Sequence, residues 1–260
     1  MSTKRFTDKV VFVTGGSRGI GQAIALAFAR EGAQVFSAGS GEQADTAGKA
    51  RALGAKFTPL TSDFSKLTQK GAAELVGQIV RQAGRVDVLV NNAGIIRRAP
   101  AADHPEADWN TVLQINLSAP FFLCQAVAKW WLTGGREQSA STARLKIINM
   151  ASMLSYQGGI LVPGYTASKS AIAGVTKALA NEWAKERMNV NAIAPGYVAT
   201  ENTRPLREDE KRNKAILDRI PEGRWASAED IAGGCLFLAS SEADYVNGTI
   251  LNIDGGWLAR

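Results

Sequence analysis

At 260 residues the chain has room for one large α/β domain or two small ones. Its 45% hydrophobic and 21% charged content places it among ordinary globular proteins with apolar mass for a substantial core. The formal charge of +6 comes from scattered basic residues, so a solvated surface is expected and a nucleic-acid partner is not. A mild positive field favours an anionic cofactor or substrate. Cys124 and Cys235 sit in apolar helical patterns and read as buried thiols, not as a disulfide or zinc pair. With His104 as the single histidine, no metal site is expected. Residues 1–8 are basic without an apolar signal core, and no apolar run approaches membrane-spanning length. The expectation is a soluble, cytoplasmic protein with no membrane partner.

In chain order, β-rich runs alternate with helical patterns. A strand over 10–13 precedes a helix over 20–30, and one over 35–38 precedes a helix over 44–53. Strands over 57–60 and 86–90 precede helices over 68–83 and 109–131. Strands over 147–150 and 190–194 precede helices over 165–185 and 228–239, and a strand over 250–253 closes the series. Several of these strands are continuous apolar runs, as strands covered on both faces require. The order predicts an α/β fold, a doubly wound, seven-stranded parallel sheet with helices on both faces, in one domain over residues 1–260. The polar stretch 133–144 reads as a surface loop. An irregular region over 201–224 holds a short helical pattern and stands where a substrate cover belongs, or is a plain surface excursion.

After the first strand comes Thr14-Gly15-Gly16-Ser17-Arg18-Gly19-Ile20-Gly21, then a helix. Gly15 allows a tight turn, Gly19 a close approach of backbone to a pyrophosphate, and Gly21 close packing of helix on sheet. The helix N-terminus offers free N–H groups and partial positive charge to phosphates. A glycine pattern alone is weak, but its place at the first strand–helix junction strengthens it. After the second strand stand Ser40 and Glu42, with no acid immediately following and no arginine. Glu42 can reach a ribose, whereas Arg18 can meet a 2′-phosphate, or both are simply solvated. NAD(H) is slightly preferred, with NADP(H) also open.

Tyr165 and Lys169, four apart on a helix whose Ile172, Val175, Leu179 and Trp183 face a core, share one side of that helix. A nearby ammonium is expected to favour the phenolate, making the tyrosine a general acid for carbonyl reduction and a base in reverse. Ser152 follows the fifth strand, at a carboxyl end where such sheets bind ligands, and can donate to a developing oxyanion. Asn116 is a poor helix former within a helical pattern, free to bond backbone or water. Asn91-Asn92-Ala93-Gly94 and the segment from Pro195 to Thr200 follow the fourth and sixth strands. Each alone can be a turn. Together, signals after strands one, four, five and six line one crevice.

With these residues assembled, the chain resembles the short-chain dehydrogenase/reductase family over essentially its whole length. The match runs through TGGSRGIG at 14–21, Asp63, NNAG at 91–94, Asn116, Ser152, Tyr165, Lys169 and PGYVAT at 195–200. The resemblance implies a Rossmann domain with Asn116, Ser152, Tyr165 and Lys169 as a catalytic tetrad. It further implies Asp63 near the adenine, Asn91 near the adenosine ribose, and Val198 and Thr200 near the nicotinamide amide. Candidate cofactor contacts are then Gly15, Ser17, Arg18, Gly19, Ile20 and Gly21, Ser40 and Glu42, and Asp63. Asn91, Ala93 and Gly94 join them, with Tyr165, Lys169, Pro195, Gly196, Val198 and Thr200.

Within the family, the chain resembles the group of 2-dehydro-3-deoxy-D-gluconate 5-dehydrogenases through NNAGIIRR, INMASMLSYQGG, ILDRIPEGRW and DGGWLAR. That resemblance implies a keto sugar acid as substrate and a homotetramer. Arg97, Arg98, Ser152, Gln157 and Arg204 are the candidate substrate contacts. The longer polar loop over 133–144, and a glycine loop like that of NADP-using acyl-carrier-protein reductases, depart from the group's pattern. Competing readings are a 3-oxoacyl-[acyl-carrier-protein] reductase, another sugar or polyol dehydrogenase, and a catalytically inactive nicotinamide-binding regulator. The intact Ser152, Tyr165 and Lys169 argue against the last.

Overall fold

Uninterrupted runs of valine, isoleucine and phenylalanine are satisfied when a strand is covered on both faces. The computed structural model describes residues 4–138 and 143–260. Its strands are Val10–Thr14 (β1), Gln34–Gly39 (β2), Phe57–Thr61 (β3), Val88–Asn91 (β4), Leu145–Met150 (β5), Met188–Pro195 (β6) and Ile250–Ile253 (β7). All pair in parallel, in the order β3-β2-β1-β4-β5-β6-β7. The expected strands are all present, with ends shifted by no more than two residues.

The helices are Gly19–Arg30 (α1), Ala44–Ala52 (α2), Gln69–Ala83 (α3), Glu106–Leu113 (α4), Ala119–Trp130 (α5), Pro163–Trp183 (α6), Arg204–Glu208 (α7), Glu210–Leu217 (α8) and Ala228–Ala239 (α9). Alternation along each strand divides the core into two layers. Phe12, Leu89 and Ile147 pack with Ile79 of α3, Leu123 and Val127 of α5 and Leu179 of α6. Val11, Val13, Val90 and Ile148 face the other way, onto Ile24 and Phe28 of α1 and Ile231 and Leu238 of α9. Each such fully buried side chain contributes about 1.5–3 kcal/mol of transfer free energy. Cys124 belongs to the first layer and Cys235 to the second.

The sequence pattern predicts an uninterrupted helix over 109–131, and here the structure differs. A continuous run from Glu106 to Gly135 contains π turns at Gln114–Ser118 and Trp131–Gly135. Pro120 explains the first, because it has no N–H to offer the carbonyl of Asn116 four residues earlier. The run is long and apolar enough to cross a membrane, contrary to expectation. Here Leu123, Cys124, Val127, Ala128 and Trp131 bury its inner face in the core. The expected loop over 133–144 is also corrected in part. Residues 133–135 finish the π turn, residues 139–142 lie outside the described residues, and Arg144 donates to Asn189 Oδ1 at 2.7 Å.

Asp87 fastens the amino-terminal end of the sheet. Its buried carboxylate accepts the Val10 N–H at 2.9 Å and Arg85 Nε at 2.8 Å, and Lys9 lies 3.6 Å away. Its backbone N–H donates to Val10 and its carbonyl accepts from Lys146, so β1 and β5 both depend on it. Asp87→Ala is expected to cost about 2–3 kcal/mol in urea-unfolding experiments, because the Val10 N–H loses its buried acceptor. Asp87→Asn keeps an acceptor there and should cost less.

Candidate active site

The strand order reverses between β1 and β4, so the chain leaves these neighbours toward opposite sides and a crevice opens above their carboxyl ends. Gly15 (φ +73°) and Gly19 (φ +56°) take left-handed conformations that make the turn from β1 into α1. A Cβ at Gly21 would stand 2.1 Å from the Gly15 carbonyl oxygen, so only glycine lets the helix come this close. Asn92 pins the turn by donating to the Thr14 and Gly15 carbonyls at 2.9 and 3.3 Å. The Thr14 hydroxyl accepts the Ala93 N–H at 2.9 Å, tying the β1 and β4 turns together.

Arg18 precedes α1 in extended conformation, and its side chain does not cap the helix. The first-turn N–H groups therefore remain available to phosphate oxygens. Beside Gly16, Ser37 Oγ and Gln43 Oε1 are buried without a hydrogen-bond partner. A glycine cradle under an uncapped helix fits a dinucleotide. Ser40 and Glu42 are exposed beyond β2. Asp63 is exposed, and hydrogen bonds from the Ser65 hydroxyl and N–H lower its pKa. Asn91 is 3% exposed, and its amide donates inward to Asn149 Oδ1 at 2.9 Å. Any ribose contact from this position falls to its backbone.

The expected tetrad residues come together from the π turn between α4 and α5, from the end of β5 and from α6. Ser152 follows β5, and its hydroxyl accepts the Leu154 N–H at 3.1 Å while acting on the Tyr165 phenol to favour its ionised form. Ser155 completes the turn, its hydroxyl donating to the Lys169 carbonyl at 2.6 Å. Lys169 is 4% exposed, donates from Nζ to the Met150 carbonyl at 2.6 Å, and lies 5.5 Å from the Tyr165 ring centroid. Asn116, freed by the π turn, exchanges two 2.9 Å hydrogen bonds with the Ile95 backbone and donates to Ser168 Oγ. A Cβ on Gly94 would lie 3.3 Å from Asn116 Oδ1 and 3.7 Å from Lys169 Nζ, which locates all three at one point.

The electrostatics differ from expectation. Burial raises the Tyr165 pKa, while the Ser152 hydrogen bond and the Arg98 charge oppose that rise. The expected lowering by Lys169 is not among the effects on the phenol, and the ammonium is committed to the Met150 carbonyl. Burial brings Lys169 itself down to about 8.

Pro195 ends β6, and Gly196 lies so close to Asp254 that a Cβ would meet its Cα at 2.6 Å. Val198 bridges to Ala226, and its carbonyl accepts from Thr203 Oγ1 at 2.6 Å. The Thr200 N–H donates to the same hydroxyl at 3.1 Å. Of the substrate candidates, Arg97 faces Asp108 at 3.4 Å, and Arg204 faces Glu201 and Glu208 at 3.2 and 3.7 Å. Exposed Arg98 is the one of these three whose charge acts on the phenol. Gln157 is held by Arg219 and Trp257. Asn92, Ser155, Arg219 and Trp257 carry no individual signal in the sequence, although NNAG, INMASMLSYQGG, ILDRIPEGRW and DGGWLAR contain them. Among the described residues no three His, Cys, Asp or Glu side chains gather into a metal site.

A dinucleotide cradle opening onto a Ser–Tyr–Lys group defines an oxidoreductase that uses a nicotinamide nucleotide. The family model described as enoyl-(acyl carrier protein) reductase matches residues 15–258, and the chain belongs to the short-chain dehydrogenase/reductase family. It is 50% identical over 260 residues to the 2-dehydro-3-deoxy-D-gluconate 5-dehydrogenase of Escherichia coli K12, covering 100% of this chain and 99% of that one. Identity to the enzyme of the same name from Dickeya dadantii is 49%, with the same coverage. A solved structure from Agrobacterium tumefaciens, provisionally described as a 2-deoxy-D-gluconate 3-dehydrogenase with bound NADP, matches with a TM-score of 0.90. It is 46% identical, and each chain is covered in full.

Tyr165→Phe is expected to reduce turnover by about 100- to 10,000-fold while cofactor affinity, read by fluorescence titration, stays nearly unchanged. Lys169 carries its proton below about pH 8 and loses it above. Loss of that proton takes the charge assistance from its bond to the Met150 carbonyl and loosens the site, so carbonyl reduction should decline as pH rises through about 8. Lys169→Met should be slow throughout and lack that decline in initial rates measured from about pH 6 to 10.

Proposed function

We propose that this chain transfers a hydride between a nicotinamide nucleotide and a keto-deoxy sugar acid, as its relatives' names describe for them. The observation that carries the reading is the Ser152–Tyr165–Lys169 group beside the positive charge of Arg98. The bound nicotinamide supplies or accepts the hydride. Tyr165 gives its phenolic proton to the substrate carbonyl oxygen in reduction and takes it back in oxidation. Ser152 donates to the same oxygen as negative charge develops. Arg98 offers a planar fork to the substrate carboxylate and also makes the phenol easier to ionise. Lys169, through Met150, fixes the first turns of α6 against the end of β5.

The rest of the reading concerns the frame of the site. Residues 1–260 act as one catalytic domain, with the segment over 201–224 covering the substrate and the chain assembling as a homotetramer. Both nicotinamide nucleotides are accepted. No carboxylate directly follows β2 to repel a 2′-phosphate, and exposed Arg18 stands in the glycine turn to meet one. Glu42 serves the ribose of NAD(H), toward which the slight preference first inclined.

A panel of uronate-derived keto acids, neutral polyols and acetoacetyl thioesters, each with both nucleotides, tests the reading. The highest kcat/KM is expected for a keto-deoxy acid; a thioester optimum replaces this reading with acyl-carrier-protein reduction. Arg98→Ala should raise KM for the acid about tenfold, with a smaller effect on a neutral analogue. Arg97→Ala and Arg204→Ala should do less, because both guanidiniums already face carboxylates. Arg18→Ala should lower kcat/KM about tenfold with NADPH and little with NADH.

A further inference from the structure

Gln157 lies five residues beyond Ser152, on the path from β5 into α6. Its carboxamide oxygen accepts from the Trp257 indole Nε1 at 3.3 Å and from Arg219 Nη2 at 3.4 Å. Indole and guanidinium are donors only, so their convergence on one atom decides which way the amide is turned. The oxygen must face them and the –NH2 must face away. That –NH2 group makes no hydrogen bond to the described residues, and Gln157 is only partly buried. It therefore presents a donor of fixed orientation on the segment that follows Ser152.

The two residues that orient it are themselves held. Trp257 is 4% exposed, packs with Met153, Ile216 and Ile220, and meets the Tyr197 ring at a centroid distance of 4.8 Å. The Arg219 guanidinium lies 4.0 Å from the Trp257 ring centroid, a cation–π contact. Asp254 closes the turn under Trp257 by accepting the Gly256 and Leu258 N–H groups at 3.0 and 2.9 Å. Arg260 adds a second tie to the region after α8 by donating to the Asp218 carbonyl at 2.9 Å. Residues 254–260 thus connect the Ser152 turn, the proposed substrate cover and the Tyr197 loop.

We propose that Gln157 donates to a carboxylate or carbonyl oxygen of the substrate, and that Trp257 and Arg219 are positioning residues that fix its orientation. This rests on the keto sugar acid reading above. Both target groups accept hydrogen bonds and donate none, which is the complement an outward –NH2 selects.

Gln157→Glu separates substrate contact from structural support. A carboxylate still accepts from Trp257 and, with charge assistance, from Arg219, so the melting temperature should be kept or raised. Toward the substrate, however, it offers an acceptor and a negative charge. The expected result is a KM for 2-dehydro-3-deoxy-D-gluconate raised about tenfold or more, with kcat little changed. Trp257→Phe keeps a packed ring and deletes one donor, and should raise the same KM by about two- to fivefold. A folded Gln157→Glu enzyme with wild-type KM overturns the proposal. Should that variant not fold, an unchanged KM in Trp257→Phe overturns it instead. Failure of the underlying reading looks different, because the wild-type enzyme would then show no preference for the acid over a neutral polyol, and both would fall.

Discussion

A parallel sheet that reverses its strand order cannot cover its own carboxyl edge at the reversal. Connections leave β1 and β4 toward opposite faces, and a gap stays open above their carboxyl ends. Everything at the site depends on keeping that gap narrow. The contact between Gly21 and the Gly15 carbonyl draws α1 down onto the sheet, and the Asn92 amide holds the turn from the β4 side. A helix displaced by one methyl group would carry its free N–H groups away from the turn.

The floor of the crevice is wired by side-chain amides. Asn91 donates to Asn149, Asn149 donates to Thr176 at 3.0 Å, and Thr176 donates to the Ile172 carbonyl at 2.8 Å. This chain links β4, β5 and α6 through a buried interior, where each satisfied hydrogen bond nets about 1 kcal/mol and an orphaned partner costs more. Asn116 belongs to the same strategy. Pro120 releases the helix from regular geometry, and the asparagine amide then holds the backbone at Ile95 in place. Precision at the tetrad comes from polar side chains locked below it.

Much of this was legible in the sequence because it is local. Apolar runs such as Val10 to Val13 announce strands, and the glycines after them announce a turn that only glycine can make. Tyr165 and Lys169 share a helix face by spacing alone. Tertiary facts were not legible. Pro120 could have begun a helix as easily as it relaxed one, and only packing shows which. Trp257 meets Gln157 across a separation of 100 residues, beyond the reach of any local pattern. The phenol's electrostatics were read with the opposite sign, because spacing reveals the neighbouring lysine but not the depth at which both are buried. The carboxylates that Arg97 and Arg204 face were hidden for the same reason: a free guanidinium and a paired one look identical in a sequence.

The placement of the two thiols gives the molecule its own reporters of opening. Cys124 and Cys235 are both 0% exposed, one in each apolar layer, and burial pushes the first up to about 12 and the second higher still. Thiolate is the reactive form, so both are inert to alkylating reagents while the layers are closed. Alkylation at one cysteine then times the separation of its own helices from the sheet. Unequal rates would mean that one side of the sheet sheds its helices before the other, and equal rates that the two faces part together.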